Sequence, residues 1–253
     1  GKYAYVADSG TGNLYVVDVS NPRSPSLVST LNTGSPAWVH GSGKYVYLTN
    51  ATQGTLSIVD ISNPNSPVIA SSTLTDSLPT SVYVSGRYAY VTDNSSEKLI
   101  IFDVSNPVSP VRKSDISLTG VDPTSVYVSG RYAYITNNAT GASATVSIID
   151  IASSTNPIEV TAIRAVGDYP RDVVVSGRYA YVSNEVNASF SVYDLGGLES
   201  TSALIHSLEA GNLSVRNDIQ TAGMLNVGTG LTVGTGGFLS QGNSAVYGSL
   251  QVG

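Results

Sequence analysis

Cysteine is absent from all 253 residues, which removes disulfide frameworks, thiolate nucleophiles and cysteine-bearing zinc sites from consideration. Charge is scarce as well. Only 12% of residues are charged, and 12 Lys and Arg stand against 18 Asp and Glu for a net charge of −6. Such a field repels phosphate backbones and anionic lipid, so neither nucleic acid nor membrane is an expected partner. No run approaches the roughly 18 apolar residues of a membrane-spanning helix, and no basic segment with an apolar core opens the chain. The sequence begins at Gly1 inside a repeat unit, as a mature or excised part of a longer precursor would. Histidine occurs twice, at His40 and His206. A Ser-His-Asp arrangement would have to use one of them, and no nucleophile-elbow sequence lies near either.

What is present is apolar and small. Hydrophobic residues make up 41% of the chain, with 25 glycines and 16 tyrosines, enough for a sizeable core and typical of an exported, extracellular protein. Aligned on glycine, Gly1-Lys2-Tyr3-Ala4-Tyr5-Val6 recurs from Gly43, Gly86, Gly130 and Gly177, at spacings of 42, 43, 44 and 47. A second column runs through Leu14 to Val19, Leu56 to Ile61, Leu99 to Val104, Val146 to Ile151 and Phe190 to Leu195. A period in the forties made of short β-rich runs predicts four-stranded propeller blades, here five units in an all-β domain.

Within a unit, residues 79 to 85 read as an inner strand and Ser85-Gly86 as a tight hairpin into Arg87 to Thr92. Leu99 to Val104 makes a third strand. Ser105-Asn106-Pro107 then ends it, because proline supplies no ladder donor, and an outer strand follows from Pro110. The second and third strands are apolar on both alternating sets, so both sheet faces must be covered, as between neighbouring blades. Inner strands can be named at residues 36 to 42, 79 to 85, 123 to 129 and 170 to 176, four against five glycine-led second strands. The edge at Tyr3 to Val6 is therefore expected to be completed by residues 201 to 208, by upstream sequence, or by a neighbouring molecule through strand exchange.

Asp18, Asp60 and Asp103 are each followed by Val/Ile-Ser-Asn-Pro, a phrase that decays after Asp150 and Asp194. Together with the Ser-Gly-Arg-Tyr-Ala-Tyr-Val motif, it resembles the LVIVD-repeat family of surface propellers over residues 1 to about 195. That resemblance implies the fold and a surface location, and brings no catalytic signature. From about Ser200 the period changes. Leu213, Ile219, Leu225 and Leu231 open hexads of a Gly-rich β-segment that looks like the stalk repeats of trimeric fibres. The domain reading is thus a propeller over 1-199 and a stalk over 200-253. The stalk is too short to cover its own apolar residues, which predicts a homo-oligomer, a trimer above all.

Candidate sites have plain structural readings. The five aspartates precede turns, where a carboxylate accepts backbone N–H bonds, and once-per-blade spacing disperses them, so no metal site is expected. Lys2, Lys44, Arg87, Arg131 and Arg178 read as solvated turn residues, although a ring of cations could hold an acidic glycan or a neighbouring subunit. The sequons at Asn50, Asn94, Asn138, Asn187 and Asn212 are no more numerous than chance gives. Gly228 to Gly234 misses the dinucleotide spacing, and no cofactor is expected. The residues singled out for binding are Trp38, His40, Tyr83 and Tyr127. His40 shares a column with the two tyrosines, Trp38 lies two residues before it on one strand face, and aromatics on an inner strand can line a propeller's mouth and stack on a sugar.

These readings favour a non-enzymatic extracellular structural or adhesive protein, a display head on an oligomeric stalk. A phage or viral fibre that recognises a receptor is the alternative. A propeller enzyme acting on glycans is the third, disfavoured because catalytic residues should break the repeat symmetry.

Overall fold

The computed structural model describes residues 1–164, 168–186 and 188–195. The chain divides into two units, 1–199 and 200–253. The hexads, His206, the strand candidate at 201 to 208 and the sequons at Asn187 and Asn212 lie outside the described residues.

The described chain is all-β apart from one 3-10 turn, Gly141–Ser143, and forms five antiparallel sheets in sequence order. The first holds β1 (Tyr3–Asp8), β2 (Asn13–Asp18) and β3 (Ser26–Asn32). The second holds β4 (Pro36–Ser42), β5 (Tyr45–Asn50), β6 (Thr55–Asp60) and β7 (Val68–Leu74). The third holds β8 (Pro79–Ser85), β9 (Tyr88–Asp93), β10 (Lys98–Asp103) and β11 (Val111–Ser117). The fourth holds β12 (Pro123–Ser129), β13 (Tyr132–Asn137), β14 (Thr145–Asp150) and β15 (Ile158–Arg164). The fifth holds β16 (Pro170–Ser176), β17 (Tyr179–Asn184) and β18 (Ser189–Asp194). The four inner strands named from the sequence are β4, β8, β12 and β16. Each lies against the next, with β1 against β4, which is the arrangement of propeller blades.

Each inner hairpin turns on two residues. Ser85 pairs with Tyr88, and Gly86 between them has φ 58°, a left-handed value that glycine adopts without strain at the first position of a type II′ turn. Gly43, Gly130 and Gly177 repeat it at φ 60°, 58° and 60°. The double-faced apolar strands bury both sides. One cluster joins the first and second sheets through Leu14, Val46, Leu48 and Val59. Three more fill the later junctions: Ile58, Val82 and Phe102, then Ile101, Val126 and Ile149, then Tyr134, Val146 and Val182.

Polar ties recur at the same junctions. Ser29, Ser71 and Ser114 on the outer strands donate through Oγ to the carbonyls of Pro64, Pro107 and Ser154 in the following blade, at 2.6, 2.6 and 2.7 Å. The turn after the third strand, Ser-Asn-Pro in the second and third blades, thus receives the blade before it. Thr80 at the start of β8 likewise donates to the Pro123 carbonyl at 2.8 Å.

Candidate functional site

The aspartates at the ends of the third strands fold back on their own turns. Asp18, Asp60, Asp103 and Asp150 accept the backbone N–H two residues on, at 2.8, 2.8, 3.0 and 2.9 Å, as turn carboxylates do. The second strand brings a cation alongside. Tyr88 pairs with Asp103 across the ladder, so Arg87, one residue earlier, reaches that carboxylate. Arg131 and Asp150, Arg178 and Asp194, and Lys2 and Asp18 repeat the pair. Arg87 draws the Asp103 carboxyl well below its usual range, helped by the Ser105 hydroxyl and N–H. Four of the five cations of the basic column are therefore paired within their own blade. It is not the cationic ring that could have held an acidic glycan.

The inner strands carry a different column. His40 on β4, Tyr83 on β8 and Tyr127 on β12 come from successive blades, and all are half-buried. The His40 and Tyr83 ring centroids are 4.5 Å apart with planes tilted by 49°, and Tyr83 and Tyr127 follow at 5.0 Å and 59°. The one-per-blade register of β4, β8 and β12 joins them into a continuous row. Burial lowers the His40 pKa and so favours the neutral imidazole, while a hydrogen bond to the Val84 backbone opposes that shift. Burial raises the Tyr83 hydroxyl, with Tyr127 adding to the shift. Trp38 packs against the cluster between the second and third sheets. It also lines a cleft with Tyr5, Val6 and Ala7 of the first sheet, and is not part of the ring-to-ring row.

Sequence reasoning missed Asp172. It replaces the serines that β8 and β12 place at this position, Ser81 and Ser125, and its Oδ1 accepts the Ser125 hydroxyl at 2.5 Å. The signal was a carboxylate in a column that holds Trp38 on β4 and serine on β8 and β12. Asp172 borders an open cleft of about 270 Å3 with Val174, Tyr181, Ser183 and Phe190. Among the described residues no three His, Asp or Glu side chains converge as metal ligands.

The fold and this row define a repeat propeller with chemically distinct inner strands. Its sequence matches the LVIVD repeat model over residues 1–33, 36–75, 79–117, 122–164 and 167–191, and the chain belongs to the LVIVD repeat family. No curated protein matches it. A protein from Bacteroides uniformis, assigned provisionally as a 6-phosphogluconolactonase, resembles it with TM-score 0.66 and 19% identity over 79% of this chain and 66% of that one. The Pseudomonas aeruginosa periplasmic gluconolactonase follows at 0.64 and 19%, over 77% and 63%. Hydrazine synthase of Kuenenia stuttgartiensis gives 0.61 and 22%, over 72% and 52%. The chain spans between half and two thirds of these structures, and at such identities the likeness carries the fold.

These findings overturn the expectation of a non-enzymatic structural or adhesive head. Solved propellers of this shape include named lactonases, so repetition of the blades does not argue against catalysis. The physical reason is visible in the inner strands. The repeated positions build junctions and turns, while His40 and Asp172 depart from the repeat on the strands that line the middle of the blade series.

Proposed function

We propose that this chain is a propeller hydrolase acting on a sugar-derived lactone at the inner-strand row. The observation that carries this reading is the row itself, a neutral half-buried imidazole joined ring to ring with two tyrosines. Aromatic faces stack on the apolar side of a sugar ring, and phenol hydroxyls can donate to its oxygens. A neutral imidazole can take a proton from water as that water adds to the lactone carbonyl. The ring C–O bond then breaks, and the imidazolium returns that proton to the leaving alkoxide to give the open hydroxy acid. The names of two structural neighbours support the substrate class, and an exported setting fits the composition.

The test is acid release from aldonolactones and their phosphorylated forms, followed by pH-stat. His40→Gln should lower kcat by about 10²-fold or more, the range of a lost general base. In the parent, kcat should fall as pH drops through the lowered His40 pKa, since protonation removes the base. Turnover that persists unchanged in His40→Gln would reject the assignment.

A further inference from the structure

A row of hydroxyls runs beside the aromatic row. Side chains two residues apart share one face of a strand, so His40, Tyr83 and Tyr127 are followed on that face by Ser42, Ser85 and Ser129, the last residues of β4, β8 and β12. Ser85 is exposed and the other two are half-buried. The hairpins that carry Lys44, Arg87 and Arg131 begin at these serines, roughly 7 Å along the strand from the row. Their cations are turned away from it. Arg87 and Arg131 reach Asp103 and Asp150 at the ends of β10 and β14, strands that lie beyond β9 and β13 as seen from the inner strands. Each guanidinium also lies over the tyrosine that follows it, Tyr88 at 5.4 Å and Tyr132 at 5.9 Å. Lys44 lies over Tyr45 at 5.2 Å, and the Asp60 carboxyl is held below its usual range by the Ser62 hydroxyl and N–H and, after them, by the Lys44 charge. The charge that does touch the strand face of the row is acidic. Asp172 accepts the hydroxyl of Ser125 at 2.5 Å, and Ser125 precedes Tyr127 by two residues on the same face.

Resting on the hydrolase reading, we propose that the row takes an uncharged polyhydroxy lactone and discriminates against its phosphate esters, with Ser42, Ser85 and Ser129 meeting the hydroxyl groups of the sugar. Aromatic faces receive the C–H side of such a ring, and serine hydroxyls both donate to and accept from its hydroxyls. A phosphate monoester carries roughly two negative charges at pH 7. On the row it would face the Asp172 carboxylate and a chain of net charge −6, while the nearest cations are drawn to carboxylates of their own blades. The site is thus matched to hydrogen-bonding groups and opposed to a second anion.

The experiment compares kcat/KM for an aldonolactone and for its phosphate ester, with the whole chain at pH 7 and low salt. The uncharged form should be preferred about fivefold or more, the size of the repulsion between a carboxylate and a phosphate roughly 8 Å apart in water. That preference should shrink toward unity in about 1 M salt, where the Debye length falls to roughly 3 Å. Ser85→Lys places an uncommitted cation at an exposed position beside Tyr83, and it should narrow the preference about fivefold. Equal or faster turnover of the phosphate ester by the parent would overturn the proposal. A preference that neither salt nor Ser85→Lys changes would overturn it in favour of selection by shape. Turnover of neither form would overturn the hydrolase reading itself and this inference with it, an outcome distinct from the other two.

Discussion

The third and fifth sheets are built from nearly the same sequence, yet they sit in different physical states. Both carry a Gly-Arg-Tyr-Ala-Tyr-Val second strand and a third strand ending in Asp. In the third sheet Leu99, Ile100, Ile101 and Phe102 are all completely buried, while in the fifth Phe190 and Val192 are more than half exposed. The side chains alone do not explain this, because phenylalanine is at least as apolar as leucine. The neighbour does. A blade's third strand is buried by the blades on either side of it, so blade stability is a nearest-neighbour property and the cost of a substitution depends on position in the series.

The largest expected effect lies inside. Leu99→Ala removes a fully buried side chain from the cluster between the third and fourth sheets, and it should cost about 2–5 kcal/mol in urea unfolding. A loss below about 1 kcal/mol would mean that the interior junctions can collapse around a void, and the contrast with the terminal sheet would lose its basis.

A second difference is electrostatic. The third sheet has a fourth strand, and with it a four-charge network. Asp76, in the connection before β8, accepts from Arg112 Nη1 at 2.6 Å and lies 3.3 Å from Lys98 Nζ, and both cations also reach Asp115. The described fifth sheet ends at its third strand. Arg112, through its hydrogen bond first, holds the Asp76 pKa at about 2 against an ordinary 3.8. A depressed carboxylate stabilises the fold above pH 3.8, and that contribution disappears as pH falls through about 2. The partners are partly exposed, so solvent screening reduces the contribution to about 1 kcal/mol. Asp76→Asn should therefore flatten the loss of stability between pH 4 and pH 2 relative to the parent, measured by urea titration at each pH. An unchanged acid limb would assign that loss to other carboxylates.

Much of the fold was legible because its signals are local. A glycine that must adopt positive φ marks every inner hairpin, and strands apolar on both faces announce that both faces are covered. Four inner strands could be named to the residue. The turn role of the aspartates was equally readable, since a carboxylate before a Ser-Asn-Pro turn has backbone donors within reach. Pairing of Arg87 with Asp103 was not, because it depends on a ladder register that places residues 16 apart side by side. The serine-to-carbonyl ties between blades depend on contacts between residues 35 to 40 positions apart. Asp172 stayed hidden for a related reason. Its departure from the serine column gains meaning only once β12 and β16 are known to touch. Blade symmetry by itself does not argue against an enzyme, because solved propellers of this shape include named lactonases.

The smallest effect should come from the position equivalent to Leu99 in the fifth sheet. Phe190 is 65% exposed, and its defined contact is a stacked pair with Tyr181, ring centroids 5.9 Å apart at 23°. Truncating an interior residue leaves a cavity and loses its transfer energy. At Phe190 water already occupies most of the surroundings, so Phe190→Ala removes little more than the ring pair. Such pairs contribute about 0.5–1.5 kcal/mol when buried, and at this exposure about 0.5 kcal/mol is expected. Urea unfolding of Phe190→Ala against the parent measures this loss. A penalty as large as that of Leu99→Ala would erase the contrast between the third and fifth sheets.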